Sequence, residues 1–247
     1  MIAIRSADDM ESMRASGKIA ARVRDEVAAR LQPGVTTLEL SEFAGELMKR
    51  LGAESAFLGY HGYPGIICAS VNEAVVHGIP DRRPIEIGDI VSIDVGVRHR
   101  GFIGDTATTV MVGVSDPDVM RLVAATKQAL AAGIGAARAG NRVSDISHAI
   151  ESVAAQAGFG VVRDFVGHGV GQSMHEEPQV PNFGPPGRGP LLKAGMTIAI
   201  EPMLNMGTAA VNVLDDGWTV VTQDRKPAAH FEHTVAIRDG EAEILTV

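Results

Sequence analysis

The sequence predicts an α+β fold of two pseudo-equivalent halves, with helices outside and strands inside. Three observations point there. Apolar periodicity reads helix, helix, strands, and then helix, helix, strands again. Gly34, Glu39, Leu40, Ser41 and Gly52 are matched by Gly140, Asp145, Ile146, Ser147 and Gly158 at a constant offset of 106 residues. The 247 residues, 45% apolar and 21% charged, suit one large domain. With a small slip, Gly59 also corresponds to Gly167. Chance is the alternative, since Gly and Ser are common, but the shared element order favours duplication. The halves are then roughly 1–113 and 114–247. No linker separates them, so residues 1–247 read as a single domain. Two sheets meeting at a pseudo-twofold would form one cleft, a natural place for a site.

The first helix spans residues 6–31. Ser6 and Asp9 form a capping-box pattern, Ile19, Val23, Val27 and Leu31 recur at helical spacing, and Pro33-Gly34 stops it. A second helix starts near Thr36, with Glu39 three residues on, and stops at Gly52. Residues 65–113 are rich in Val, Ile and Thr, punctuated by Gly and Pro, and read as strands. Asp116-Pro117 opens a third helix to about Ala139, and a fourth runs from about Ser144 to Gly158. Strand-like segments follow from Val161 to the end, interrupted by a Pro/Gly-rich loop at 178–190.

Composition excludes several classes. No apolar run approaches the roughly 18 residues of a membrane span. The N-terminus is acidic where a signal peptide would be basic, which predicts a cytoplasmic protein. The single cysteine, Cys68, rules out an internal disulfide framework and a multi-cysteine zinc site. As a lone cysteine it reads as a small buried hydrophobe. A formal charge of −8 with no long block of one sign argues against direct DNA binding. There is no P-loop, HExxH helix or GxSxG elbow, and Gly167-His-Gly-Val-Gly-Gln172 lacks the last glycine of a dinucleotide fingerprint.

What remains is acids and histidines inside strand-like sequence. Asp94 and Asp105 sit nearly symmetrically about Arg98-His-Arg-Gly101, a turn by composition. In an antiparallel pair they lie opposite or diagonally adjacent, and opposed carboxylates repel. A solvated edge is one reading. The apolar neighbours Ile93 and Val95 favour the other, a buried pair that wants a cation. Glu201 ends the apolar run Met196–Ile200, and Glu232 precedes His233-Thr-Val-Ala-Ile. A lone buried Glu is costly unless paired or metal-bound. An Arg partner or a solvated strand end would explain either one alone, but four acids share the anomaly. His168 is hedged by Gly167 and Gly169, which leaves room for backbone or ligand. His61, His99, His148, His230 and His233 read as hydrogen-bonded structural residues.

Taken together, eight stretches resemble one family. They are Leu58-Gly-Tyr-His-Gly-Tyr-Pro64, Asn72-Glu-Ala-Val-Val-His77-Gly-Ile-Pro, Val91-Ser-Ile-Asp94-Val, Gly104-Asp105-Thr, Gly167-His168-Gly-Val-Gly, His175-Glu-Glu-Pro-Gln, Ile200-Glu201-Pro-Met and Phe231-Glu232-His-Thr. In this order, over essentially the whole chain, they resemble the type I methionine aminopeptidases, metallopeptidases of the pita-bread fold. The resemblance implies a central antiparallel sheet enclosing a dimetal cleft. It places the metal ligands on Asp94, Asp105, His168, Glu201 and Glu232, with Asp105 and Glu232 bridging two ions. Asp94 would chelate one ion, and His168 with Glu201 would complete the other. Four carboxylates and one imidazole form a hard, oxygen-rich set, favouring Mn, Fe(II) or Co over Zn.

The implied reaction is removal of an N-terminal methionine by a hydroxide shared between the ions. His175 would face the carbonyl oxygen, His77 the peptide nitrogen or leaving group, and Glu201 would shuttle the proton. The methionine pocket falls on Tyr60, Tyr63, Cys68, His77 and Trp218, with Phe57 and Met174 at the rim beside His175. Phe57 stands where the family often has Cys, and Met174 where a larger aromatic is frequent; both stay apolar, so methionine preference is expected to hold in a reshaped pocket.

Substrates would be nascent polypeptides with a free, deformylated Met before a small second residue, met near the ribosome by a monomer. This chain begins Met1-Ile2 and should keep its own methionine. The short spacing from His175 to Glu201 leaves no room for the helical insertion of type II enzymes, and no zinc-finger extension precedes the first helix, implying the short bacterial-like form. Two rival readings are a pita-bread peptidase that cleaves before proline and a non-catalytic homologue that binds peptides or ribosomes. The first normally carries an extra N-terminal domain, and the second should have lost ligands.

Overall fold

A computed structural model describes residues 2–247. α1 (Ala7–Ala28) starts at Ser6, whose side chain accepts from the Asp9 N–H while the Asp9 carboxylate accepts from the Ser6 N–H. α2 (Thr37–Arg50) repeats this capping box with Thr36 and Glu39. β1 (Glu54–Ser55), β2 (Cys68–Val71), β3 (Ala74–Val76), β4 (Ile90–His99) and β5 (Phe102–Met111) complete the first half. The strand-rich stretch expected at 65–113 is interrupted, because 77–89 carry no strand. Pro80 and Pro84 lie there and cannot donate to a ladder. β4 and β5 turn on Arg100 and Gly101, both at positive φ (51° and 79°), as a two-residue hairpin loop demands.

In the second half, α3 (Pro117–Ala136) is capped by Asp116. It stops short of Ala139 because Asn141 Nδ2 donates to the Ala136 carbonyl at 2.8 Å and closes its end. α4 (Val143–Ala157) opens where Asp145 accepts from the Arg142 N–H at 2.7 Å. Short strands follow: β6 (Gly160–Val161), β7 (Gly167–Gly169), β8 (Glu176–Val180), β9 (Thr197–Ile200) and β10 (Met203–Asn205). The chain ends with β11 (Val211–Val213), β12 (Val220–Thr222), β13 (Ala228–His230), β14 (Glu232–Ala236) and β15 (Glu243–Ile244). The loop expected at 178–190 starts later, since β8 runs to Val180. Pro178 is tolerated there because β8 is the sheet's edge.

The two sheets expected to meet are instead fused. One nine-stranded sheet has the order β1-β4-β5-β14-β9-β7-β8, with β2 also on β4 and β15 also on β14. Every pairing is antiparallel. The halves join where β5 pairs with β14. Their backbone bonds also repeat. Gly34 N donates to Ile85 O and Ile85 N to Val35 O, each at 2.8 Å. The same exchange recurs as Gly140 N to Leu192 O and Leu192 N to Asn141 O, at 3.1 and 2.8 Å.

One sheet face is apolar. Val91, Ile93, Val95 and Val97 of β4 pack under Val23, Val27, Leu40 and Leu47 of the first helix pair. Ile198, Ile200 and Val235 pack under Leu122, Ala129, Ile146 and Ile150 of the second. Each such fully buried side chain contributes about 1.5–3 kcal/mol. The alternate residues of the same strands therefore face the opposite side, away from the helices. No helix among the described residues is long and apolar enough to cross a membrane.

Glu243 of β15 ties the C-terminal segment to α1. Arg14 donates to it from Nε at 2.5 Å and Nη2 at 3.0 Å, and Arg238 donates as well. The hydrogen bond from Arg14, then Arg238, lowers its carboxyl to about 2. A depressed folded value stabilises above the unfolded value near 4.5, and that contribution is lost as pH falls towards 2. Solvent reaches all three side chains, so Glu243→Gln should cost only about 1 kcal/mol at pH 7. Urea unfolding of both proteins across pH 7 to 3 should show the gap narrowing below pH 4.5. A gap independent of pH would assign the loss to packing rather than charge.

Candidate metal centre and substrate cleft

Strand register puts the acids together. Asp94 of β4 is opposite Ala107 of β5, which is opposite Glu232 of β14. His233 pairs with Ile200, so the next position sets Glu232 against Glu201. One row across the sheet thus reads Asp94, Ala107, Glu232, Glu201. The neighbouring row, two residues along each strand, reads Gly96, Asp105, Thr234, Ala199, His168. All point away from the helices. Asp94 and Asp105 are therefore diagonal neighbours, one of the two arrangements read from the hairpin. Ala107, Gly96 and Ala199 are small spacers that leave the acids and the imidazole room to converge.

The ligand atoms of Asp105, His168 and Glu232 lie within 4.8 Å of one another. His168 Nε2 is 3.4 Å from Glu201 Oε1 and 3.7 Å from Asp105 Oδ2. His168 Nδ1 donates to the Gly169 carbonyl at 2.9 Å, which leaves the lone pair on Nε2, facing the acids. Burial, then His175 nearby, lowers His168 to about 3, so its ring is neutral. The flanking glycines are required: a Cβ at Gly167 would collide with the Ala199 carbonyl, and one at Gly169 with that of Glu177.

Electrostatically the cluster is unbalanced. Burial raises Asp94 to about 7. Burial, then the neighbouring acids, pushes Asp105, Glu201 and Glu232 well up. Among the described residues, no lysine or arginine lines the cavity. Asp94 Oδ1, Asp105 Oδ1 and Glu232 Oε1 are buried with no hydrogen-bond partner among the described residues. Orphaned buried carboxylate oxygens beside an imidazole lone pair are what a divalent cation requires, so these residues can hold a metal.

All thirteen residues singled out in the sequence line this one cavity. Its apolar end is built by Phe57, Tyr63, Cys68 and Met174, all buried, with Trp218 partly buried. The Phe57 ring occupies the space over Gly96, where a Cβ would collide with it. Tyr63 Oη donates to the Ile67 and Gly78 carbonyls, at 3.1 and 2.9 Å. Its ring meets Trp218 edge-on at 5.1 Å. Asp216 holds the Trp218 N–H at 2.8 Å. Burial pushes the Cys68 thiol well up, so it stays protonated and is no nucleophile.

The histidines are graded by depth. His175 is exposed at the mouth, His77 half-buried and His168 buried. His175 meets His168 edge-on with ring centres 4.3 Å apart, and its Nδ1 is 2.7 Å from Tyr60 Oη. Next to it, Glu176 pairs with the partly buried Arg5 and accepts from the Ser173 N–H at 3.1 Å, which fixes this segment. His77 adopts φ 59°, a strained backbone for a residue with a Cβ, between the rings of Phe165 and Trp218. Burial, then His175, lowers it to about 4.

His230 departs from the structural reading given to it. It is buried, its Nε2 has no hydrogen-bond partner among the described residues, and that atom lies 3.8 Å from Glu201 Oε2. Its strand, β13, pairs with β10 in a separate small sheet, so nothing in the local pattern signals its approach. Asn182 Nδ2, from the Pro/Gly-rich loop, donates to the Glu201 carbonyl at 3.0 Å and was equally silent in the sequence.

This geometry agrees with what the chain resembles. The profile of metallopeptidase family M24 matches residues 11–239. Methionine aminopeptidase 1 of Bacillus subtilis is 47% identical over 246 residues, covering 100% of this chain and 99% of the relative. The crystal structure of methionine aminopeptidase from Thermotoga maritima superimposes with a TM-score of 0.98 at 45% identity, over 100% of this chain and 99% of that one. The enzyme from Rickettsia prowazekii gives 0.98 at 40% identity, over 100% of both. A full-length match in sequence and fold, with an uncompensated acid cluster in the shared sheet, places this chain in metallopeptidase family M24, among its methionine aminopeptidases.

Proposed function

We infer that this enzyme hydrolyses the first peptide bond of chains beginning with methionine, preferring a small second residue. The observation that carries the reading is a single cavity with four carboxylates at one end, no balancing lysine or arginine among the described residues, and apolar side chains at the other end. Asp94, Asp105, His168, Glu201 and Glu232 would hold two divalent ions, whose charge offsets that of the four carboxylates. A hard, oxygen-rich set suits Mn, Fe(II) or Co better than Zn. When bound, the ions supply an activated water at neutral pH and an electrophile for the scissile carbonyl.

The chain's own groups do the rest. Phe57, Tyr63, Cys68, Met174 and Trp218 receive the methionine side chain. The free α-amine sits at the acidic end, which restricts cleavage to the terminal residue. His175 faces the carbonyl oxygen, and its hydrogen bond strengthens as negative charge develops there. His77, kept neutral by burial, serves the peptide nitrogen or leaving group. Glu201 moves the proton. Both halves contribute to the site, so the 247 residues act as one catalytic unit and a monomer suffices. New chains with a free terminal Met arise in the cytoplasm near ribosomes, where this chemistry is needed.

Metal-stripped protein re-supplied with Mn, Fe(II), Co or Zn should release methionine from Met-Ala-Ser. It should leave Met-Lys-Ser, Leu-Ala-Ser and Ala-Pro-Ser intact. Cleavage mainly before proline would move the assignment to the Xaa-Pro aminopeptidases. No cleavage with any metal would favour a non-catalytic peptide-binding protein.

A further inference from the structure

We propose that Tyr60 is a positioning residue that fixes the tautomer of His175 and so makes its Nε2 a standing donor towards the scissile carbonyl oxygen. The proposal rests on the role of His175 given above. Tyr60 Oη lies 2.7 Å from His175 Nδ1. One proton occupies that contact, and its two placements have opposite consequences. If the phenol donates, Nδ1 presents a lone pair and the neutral ring carries its N–H on Nε2. If the ring donates from Nδ1, Nε2 is a bare acceptor and would meet the carbonyl oxygen lone pair to lone pair.

The surroundings select the first placement. Burial raises the Tyr60 phenol, which keeps its proton. Tyr60 Oη has His175 Nδ1 as its hydrogen-bond partner among the described residues. The turn that presents Tyr60 is strained to do so. His61 adopts φ 47° and stacks edge-on against the Tyr60 ring at 4.4 Å. Gly59, at φ 80°, donates to the Tyr63 carbonyl and closes the turn. On the other side, the Arg5–Glu176 pair holds the segment that carries His175. Both partners of the 2.7 Å contact are thus anchored separately.

Tyr60→Phe keeps the ring and deletes only the hydroxyl. On Met-Ala-Ser, kcat should fall about tenfold with KM held within about twofold. In a His175→Ala background the same change should do nothing further, because it acts through that ring. In zinc-loaded, diamagnetic enzyme with isotope-labelled histidine nitrogens, long-range ring correlations should place the His175 proton on Nε2. In Tyr60→Phe they should report a mixture of tautomers. Parental kcat in Tyr60→Phe beside an impaired His175→Ala would overturn the role of Tyr60 and leave that of His175. A raised KM alone, or lowered kcat with the tautomer unchanged, would make Tyr60 a pocket wall only. Parental kcat in His175→Ala would overturn the reading on which the proposal rests.

Discussion

Asp105→Asn and Glu232→Gln should each lower kcat/KM for Met-Ala-Ser by roughly 10³ or more while leaving the fold intact. These two acids occupy adjacent rows at the centre of the sheet, on β5 and β14, where the halves meet. Both have a buried oxygen without any partner. A carboxamide offers one neutral oxygen where a carboxylate offers two charged ones, so affinity for a hard divalent ion drops steeply. Stability should move the other way in the absence of metal. Burial and the neighbouring carboxylates oppose ionisation of both residues. The neutral amide carries no such penalty, so each metal-free variant should melt no lower than the metal-free parent. Ligand linkage stabilises only a protein that binds, so adding metal should raise the melting temperature of the parent and not of the variants. Steady-state kinetics, metal titration calorimetry and thermal melts on the same samples check all three. Turnover within twofold of the parent would sink the assignment of these residues as ligands. An unfolded variant would show itself in circular dichroism and would contradict the predicted stability.

Local devices were legible because they repeat within a few residues. The capping boxes at Ser6 and Thr36, the turn at Arg100-Gly101 and the closeness of Asp94 and Asp105 across it follow from short-range patterns, while the register alone selects the diagonal placement over the opposed one. The five metal-ligand candidates were legible one by one as acids in apolar strands and a glycine-hedged histidine, but their convergence was not. It depends on β5 pairing with β14, which brings Thr106 Oγ1 to the Glu232 carbonyl across 126 residues of chain. No periodicity encodes that pairing; only the family resemblance linked the segments beforehand. His230 and Asn182 had no signal of either kind. Each reaches Glu201 from outside the main sheet, from β13 and from the loop after β8. The expected loop boundary failed at Pro178 for a related reason, because edge position is a tertiary property that excuses a proline inside a strand.

His175→Ala should lower kcat about 10²-fold with bound metal unchanged, the loss typical of removing one oxyanion donor. The ring lies edge-on to His168 at 4.3 Å, so a ligand role and a substrate-facing role must be told apart. Position argues for the second. His175 is exposed at the mouth and its Nδ1 is engaged by Tyr60, whereas the orphaned carboxylate oxygens lie on the sheet face below. Asp105, His168 and Glu232 close their cluster without it. The segment should also survive the truncation, because Glu176 holds it through Arg5 and the Ser173 N–H rather than through the imidazole. A donor that strengthens only as charge develops lowers kcat and leaves KM nearly constant, whereas a binding contact raises KM. Metal lost from His175→Ala in a calorimetric titration would make the residue a ligand. Metal retained, with kcat down and KM held, assigns it to the carbonyl oxygen. The same titration on His168→Ala should show the opposite, since its Nε2 lone pair faces Asp105 and Glu201. Two neighbouring histidines, one losing metal and one losing only turnover, would divide the cavity between its ion-binding floor and its substrate-facing mouth.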